Sequence, residues 1–172
     1  MRTTPWFEVR EDTVVRPDGE PDVYHHVVSP GSITVVAMDN DNRVAVTQQW
    51  IYTHGDRQWR LPAGAIDASD ADPRAAAERE LAEETGVRAF RWEPIAQVNG
   101  ADSFTNHVDH VFLATDLTLG TPSREAAEAD LDVHWVPLSK AVELVAEGAI
   151  RHAGSVCGLL AVSIRKETTH RW

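Results

Sequence analysis

Between residues 79 and 87 the chain reads Arg79-Glu80-Leu81-Ala82-Glu83-Glu84-Thr85-Gly86-Val87. On a helix, residues three and four apart are neighbours, so Glu80 lies beside both Glu83 and Glu84 and three carboxylates converge on one face. Like charges at these spacings repel, and near the negative end of the helix dipole they gain nothing from it. The arrangement makes most sense with a cation. Oxygen ligands without His or Cys suit magnesium, or manganese in its place, and magnesium typically bridges a few carboxylates to substrate phosphates. A glutamate-rich face can equally be a solvated one, with Arg79 and Glu83 an ordinary i,i+4 pair. Context separates the two readings. A loop, Pro62-Ala63-Gly64, precedes the helix, and Gly86 ends it directly after the acids, as a phosphate and metal site would require.

The elements that must position these carboxylates are legible to different degrees. Asp72-Pro73 supplies an N-cap and a proline at the first helical position, Ala75 to Ala77 are strong helix formers, and Thr85-Gly86 supplies the stop. Trp6 to Arg10, Thr13 to Arg16 and Tyr24 to Val28 read as short strands around a Pro17-Asp18-Gly19 turn. Ile33 to Met38 is β-rich and apolar on both faces, and Asp39 to Asn42 turns it into Val44 to Gln48, a hairpin with a buried first strand. Trp59 to Leu61 is a short strand running into the loop, where Gly64 can take backbone angles closed to other residues. Val87 to Val98 makes one or two strands, Val108 to Leu113 another, and Trp135 lies near a last one. Ser139 caps a helix to about Glu147, and a final helix covers Val156 to Arg165. The pattern is α+β, an α/β/α sandwich with a mixed sheet core flanked by helices and an N-terminal antiparallel section.

A length of 172 residues with 42% hydrophobic and 25% charged residues suits one soluble domain, residues 1–172. The formal net charge of −11 argues against nucleic acid or anionic membranes as partners. No signal segment or membrane-length apolar run is legible, so a cytoplasmic protein is expected. The single Cys157 has no thiol partner and is expected to be a buried, inert thiol. No His-Glu-x-x-His pattern occurs among the eight histidines, and His107 and His110 would fall on opposite faces of a strand.

The segment from Gly64-Ala65-Ile66-Asp67 through Arg79 to Val87 resembles the signature of the Nudix hydrolases. Its second half, Arg-Glu-aliphatic-any-Glu-Glu-any-Gly-aliphatic, is matched without exception. The resemblance implies the Nudix fold, with Glu80, Glu83 and Glu84 binding catalytic metals, Ala63 offering its carbonyl and Arg79 orienting the glutamates. It also implies metal-assisted displacement by water at phosphorus. The stretches Val44 to Trp50, Trp59 to Gly64, His110 to Ala114 and Asp130 to Leu138 are similar to the branch that cleaves ADP-ribose and nucleotide sugars. That branch implies a homodimer in which N-terminal strands, residues 1–30, help build the partner's pocket.

Several positions depart from the branch pattern. Ile51 stands where arginine often follows, and Arg60 where glutamate usually precedes Leu-Pro-Ala-Gly. The signature is one residue longer than usual, so Ala71 occupies the place of the glutamate that pairs with the arginine, with Asp70 an imperfect substitute. In the loop from Asn99 to His107, His107 stands closest to a glutamate that relatives use as base or metal ligand. Its ordinary pKa suits a general base, though it can equally be a rim residue, and Asp102 and Asp109 cannot be ranked against it. Arg57, Arg60, Gly64 and Trp50 are the substrate-binding candidates, the arginines for phosphate and Trp50, with Trp59 and Tyr52, for stacking on a base. Glu125 and Glu128 read as solvated loop residues. The function expected is magnesium-dependent hydrolysis of a nucleoside diphosphate derivative, ADP-ribose or a nucleotide sugar first. The alternatives are a nucleoside triphosphate pyrophosphatase and a silent nucleotide-binding regulator.

Overall fold

The computed structural model describes residues 2–123 and 130–169, and Glu125 and Glu128 lie outside the described residues. Strands β1 (Arg2–Thr3), β2 (Glu8–Val15) and β3 (Pro21–Val28) form an antiparallel N-terminal sheet in the order β1-β2-β3. β2 is one continuous strand, where the sequence suggested two short ones, because its cross-strand register with β3 runs unbroken from Glu8↔Val28 to Val15↔Pro21.

The core begins with β4 (Ser32–Ala37) and β5 (Arg43–Ile51), followed by β6 (Asp56–Arg60), β7 (Ala63–Ala65), α1 (Pro73–Thr85), β8 (Val87–Val98) and β9 (Asp109–Leu119). β10 (Asp132–Pro137), α2 (Leu138–Ala146) and α3 (Ala153–Thr169) complete it. Two sheets result, β7-β4-β9-β8 and β10-β5-β6, and β4 runs parallel to β9. The hairpin expected from Ile33 to Gln48 is therefore not a ladder. Only Met38↔Val44 pairs across the turn, and the chain passes from one sheet to the other because β4 is occupied on both edges by β7 and β9.

Strand alternation sorts the apolar residues into two cores. Ile33, Val35 and Ala37 pack with Ala76, Ala77 and Leu81 of α1, whereas Val36 joins Val44, Val46, Leu61 and the α2 and α3 residues Ala141, Leu159 and Val162. This gives the helix, sheet, helix layering expected, with α1 on one side and α2 and α3 on the other. β8 is a single twelve-residue strand with an irregularity between Pro94 and Ala96. Ser139 is not the cap of α2, since Pro137 occupies that position without a side-chain hydrogen bond. Cys157 is half-buried, not fully buried, because its side of α3 is only partly covered.

α1 is built as its sequence dictates. The Asp72 carboxylate accepts from the Ala75 N–H at 2.8 Å, Pro73 opens the helix, and Gly86 ends it at φ 73°, a left-handed conformation that costs glycine nothing. Its C-terminal end is thereby fixed against the sheet, which sets where the carboxylates stand.

Candidate active site

The face that α1 turns inward consists of Ala76, Ala77, Glu80, Leu81 and Glu84. Two of the three signature glutamates thus lie on the apolar stripe, with Glu80 8% and Glu84 2% exposed. Burying a carboxylate is costly unless positive charge or a metal compensates it. Arg79 supplies part of that charge. Its Nη1 donates to Glu80 Oε1 at 2.8 Å and to Glu83 Oε2 at 3.1 Å, and Nη2 donates to the Ala65 carbonyl at 3.0 Å. Glu80 and Glu83 share Arg79, and Glu84 faces the guanidinium of Arg60. Among the described residues no three His, Cys, Asp or Glu side chains form a ready-made cage.

Asp70 holds Arg79 in place. Arg79 Nε donates to Asp70 Oδ1 at 3.1 Å and Nη2 to Oδ2 at 2.9 Å, a two-pronged pair in which the Asp70 side chain is 6% exposed. Hydrogen bonding from Arg79 keeps the Asp70 carboxyl below its ordinary range, and the same bond raises the arginine. The extra residue in the signature is absorbed here: Ala71 is exposed, and Asp70 reaches the arginine fully. We predict that Asp70→Ala lowers stability by about 2–3 kcal/mol, seen as a fall of roughly 5–8 °C in Tm. A shift below about 1 °C would show that the remaining partners of Arg79 suffice.

Gly64 serves a purpose different from the one its sequence context suggested. It lies in β7 opposite Ile33 with φ outside the left-handed region, so no special backbone angle requires it. A Cβ there would stand 2.1 Å from the Glu80 Cδ and Oε1. The glycine is a cradle for the Glu80 carboxylate. Hard oxygen donors on a buried helix face, beside the main chain of Ala63 and Gly64, fit a divalent cation that keeps water and substrate oxygens as its remaining ligands.

On the β7 side of Gly64, whose other neighbour is the Glu80 carboxylate, lies an open cleft of about 420 Å³, bordered by Ala63, Gly64, Ile66, Arg60, Trp6 and two histidines, His107 and His152, while Arg79 and Glu83 border a separate hollow. His107 precedes β9 instead of lying on it. Both its ring nitrogens are engaged, Nδ1 with Ser29 Oγ and Nε2 with Ser32 Oγ, each at 2.9 Å. Acting as a base would break one of these bonds. The loop carrying it is fastened to β3, where Val27 N–H donates to the Phe104 carbonyl at 2.9 Å.

The other candidates part ways. Arg60 borders the cleft. Arg57 does not: it is held by Asp130 and Asp132, each at 2.9 Å, and so braces β6 against the start of β10. Trp50 donates its backbone N–H to Asp130 on the same outer surface, Tyr52 is 91% exposed in the following turn, and Trp59 packs in the second core against His134. The aromatic at the cleft is Trp6, 68% exposed. Its neighbours in sequence carry no motif, so nothing local marked it. Asp109 is buried, with Oδ2 accepting from Thr34 Oγ1 at 2.8 Å.

His152 was equally unmarked. Burial, aided by Arg60 and His107, pushes its pKa down to about 3. The unfolded chain then binds the proton more readily, so this histidine costs stability as pH falls below about 6.5, down to about 3. Asp70 acts in the same direction at lower pH, since a depressed carboxylate loses its contribution as it is protonated. We expect His152→Gln to remove about 2 kcal/mol of the stability difference between pH 7 and pH 4.5 in urea titrations. Parallel pH profiles for the two proteins would contradict the buried neutral imidazole.

Residues 28–157 match the NUDIX domain family, and residues 3–27 match the family described as nucleoside diphosphate sugar hydrolase N-terminal domain. The chain belongs to the Nudix hydrolase family. Among its relatives, this Nudix hydrolase is 34% identical over 163 residues to "ADP-ribose pyrophosphatase" of Mycobacterium tuberculosis (strain ATCC 25618 / H37Rv), covering 94% of this chain and 79% of that one. It is 31% identical over 146 residues to "CMP-5'-(N-acetyl-N-hydroxy-3-aminopropyl)phosphonate hydrolase" of Streptomyces rubellomurinus (strain ATCC 31215), covering 85% and 70%. Its fold is that of a solved ADP compounds hydrolase, with a TM-score of 0.84 at 19% identity, covering 100% of this chain and 92% of that one. Among the described residues no helix is long and apolar enough to cross a membrane.

Proposed function

We propose that this Nudix hydrolase cleaves the diphosphate bond of a nucleoside diphosphate linked to a second moiety, ADP-ribose or a nucleotide sugar, with magnesium or manganese bound at Glu80, Glu83, Glu84 and the Ala63 carbonyl. The observation that carries the reading is the pair of carboxylates on the packed face of α1, since Glu80 and Glu84 occupy positions where an apolar residue would cost nothing. Bound there, a divalent ion polarises the phosphoryl oxygens and lowers the pKa of water. The chain does the positioning. Asp70 fixes Arg79, Arg79 fixes Glu80 and Glu83, and Gly64 lets Glu80 lie against the main chain. Trp6 offers an apolar face for the base at the cleft mouth, where Ile66 and Pro5 also lie.

His107 is less suited to be the general base than its sequence position implies, since both nitrogens are bonded to serines; a carboxylate of α1 is the better-placed group. A homodimer belongs to the same reading. Val9, Val15 and Val23 share one face of the N-terminal strands and leave it exposed and apolar, a surface that a second copy would cover, and the mass in solution reads this directly. The two relatives of known reaction act on nucleotide derivatives, which supports the substrate class.

The test is incubation with magnesium and a panel of ADP-ribose, nucleotide sugars, dinucleotides and nucleoside triphosphates, with release of nucleoside monophosphate and inorganic phosphate measured. Monophosphate released from one diphosphate-linked compound supports the reading. Preference for a triphosphate replaces it with a triphosphate pyrophosphatase, and silence with both metals leaves a nucleotide-binding regulator.

A further inference from the structure

The cleft has a wall that the hydrolytic reading leaves unused. Arg60 and His152 border the cleft and also a second hollow of about 240 Å³, completed by Ile51, His54, Gln58 and Arg151. The two side chains thus separate two adjoining concave spaces and are open to a ligand lying across them.

Arg60 differs from Arg57, Arg79 and Arg151. Among the described residues its guanidinium makes no hydrogen bond or ion pair, and its Nε is buried without a partner. It faces the charges of Glu84 and Asp109 without bonding to either, and burial lowers its pKa against their pull. A guanidinium carries five donors in a planar fork, and leaving them unmet in a half-buried place is expensive unless something else accepts them. Arg57, Arg79 and Arg151 are all held by carboxylates.

His152 presents a matching donor. Ser155 Oγ accepts the Leu61 N–H at 2.9 Å and stands 3.0 Å from His152 Nδ1, where its one proton can be donated to the ring. In the tautomer in which Nδ1 accepts that proton, the N–H of the neutral ring is on Nε2. A neutral imidazole so fixed donates one hydrogen bond and adds no charge.

We propose that Arg60 and His152 form an oxyanion-binding wall that holds one phosphoryl group of the diphosphate, while the α1 carboxylates serve the other. The wall rests on the hydrolase reading for its natural ligand but not for its existence. Arg60 provides charge and a two-pronged fit to phosphoryl oxygens, and the Nε2–H of His152 supplies a third, directional bond. Both are positioning residues, Arg60 at the end of β6 and His152 directly before α3.

The experiment is calorimetric titration of the full chain with inorganic pyrophosphate in excess EDTA, which removes metal from the comparison. Arg60→Gln should weaken binding by at least about tenfold, and Arg60→Lys, keeping the charge without the fork, by less. His152→Leu should weaken it by about fivefold, whereas His152→Gln, which places an N–H at the reach of Nε2, should stay within twofold of the parent. Arg57→Gln should bind like the parent. Ring ¹⁵N shifts should place the His152 proton on Nε2. Unchanged affinity in both Arg60→Gln and His152→Leu, no binding by the parent, or the proton on Nδ1 would each overturn the wall. Pyrophosphate binding that depends on these residues, in a protein silent across the substrate panel, would overturn the hydrolase reading and leave the wall standing.

Discussion

Glu84→Gln should lower kcat for the diphosphate substrate by roughly 10²–10³-fold, with KM changed far less. The argument starts from burial. At 2% exposure on the packed face of α1, Glu84 has no freedom to be replaced by a neighbour, and its charge faces Arg60 from inside the core. Glutamine keeps the shape and removes the charge, so it withdraws the proposed ligand for a divalent ion while keeping the helix and its packing in place. Arg60 retains the Asp109 carboxylate nearby, which limits the loss of stability. The measurement is steady-state turnover beside a melting curve. A folded variant retaining more than a third of parental kcat would remove Glu84 from the chemistry, and a variant that melts far below the parent would mean that the charge is chiefly structural.

The second large effect is expected at a residue with no side chain. Gly64→Ala puts a methyl group 2.1 Å from the Glu80 Cδ, well inside van der Waals contact, so the carboxylate must swing away. Displacing it strains its bond to Arg79 and moves the proposed metal ligand by about an ångström, a shift that can cost on the order of 10²-fold in rate. Overpacking of this kind costs about 1–3 kcal/mol in stability. Two readouts separate the cradle from a general intolerance of the strand. Turnover should fall in the single variant, and the stability loss should shrink when Glu80→Ala is added, because the clashing partner is then gone. Additive losses in the double variant would mean that Gly64 is needed by β7 for another reason.

Much of this site was legible because its signal is local. α1 was readable from Asp72 to Gly86, since capping, proline placement and helix propensity act over a few residues and the structure realises each of them. The departure at Ala71 was legible as a question, and the answer lay one residue away. Whether Asp70 reaches Arg79 depends on how the loop from Asp67 to Asp70 closes, with the Asp67 N–H donating to Asp70 Oδ2 at 2.8 Å. Glycine at position 64 was rightly singled out, but for backbone freedom, when its neighbour Glu80 sixteen residues on is the cause.

The remainder depended on pairings between distant segments. Arg57 and Arg60 are three apart on β6 with the same chemistry, yet Asp130 and Asp132 claim the first and nothing among the described residues claims the second. Ser32 meets His107 across 75 positions, and Leu61 meets Ser155 across 94. Those contacts decide that His107 is tied at both nitrogens, whereas His152 is held through Nδ1 by Ser155. By itself the sequence determined the family, through its resemblance to a known signature, and the carboxylate helix, because capping, side-chain type and a period of 3.6 residues are local. Only the tertiary structure decided that Arg60, both His107 and His152, and Trp6 border the cleft, because that is set by how β6, the N-terminal segment and the residues before β9 and α3 are brought together, and no local spacing encodes it.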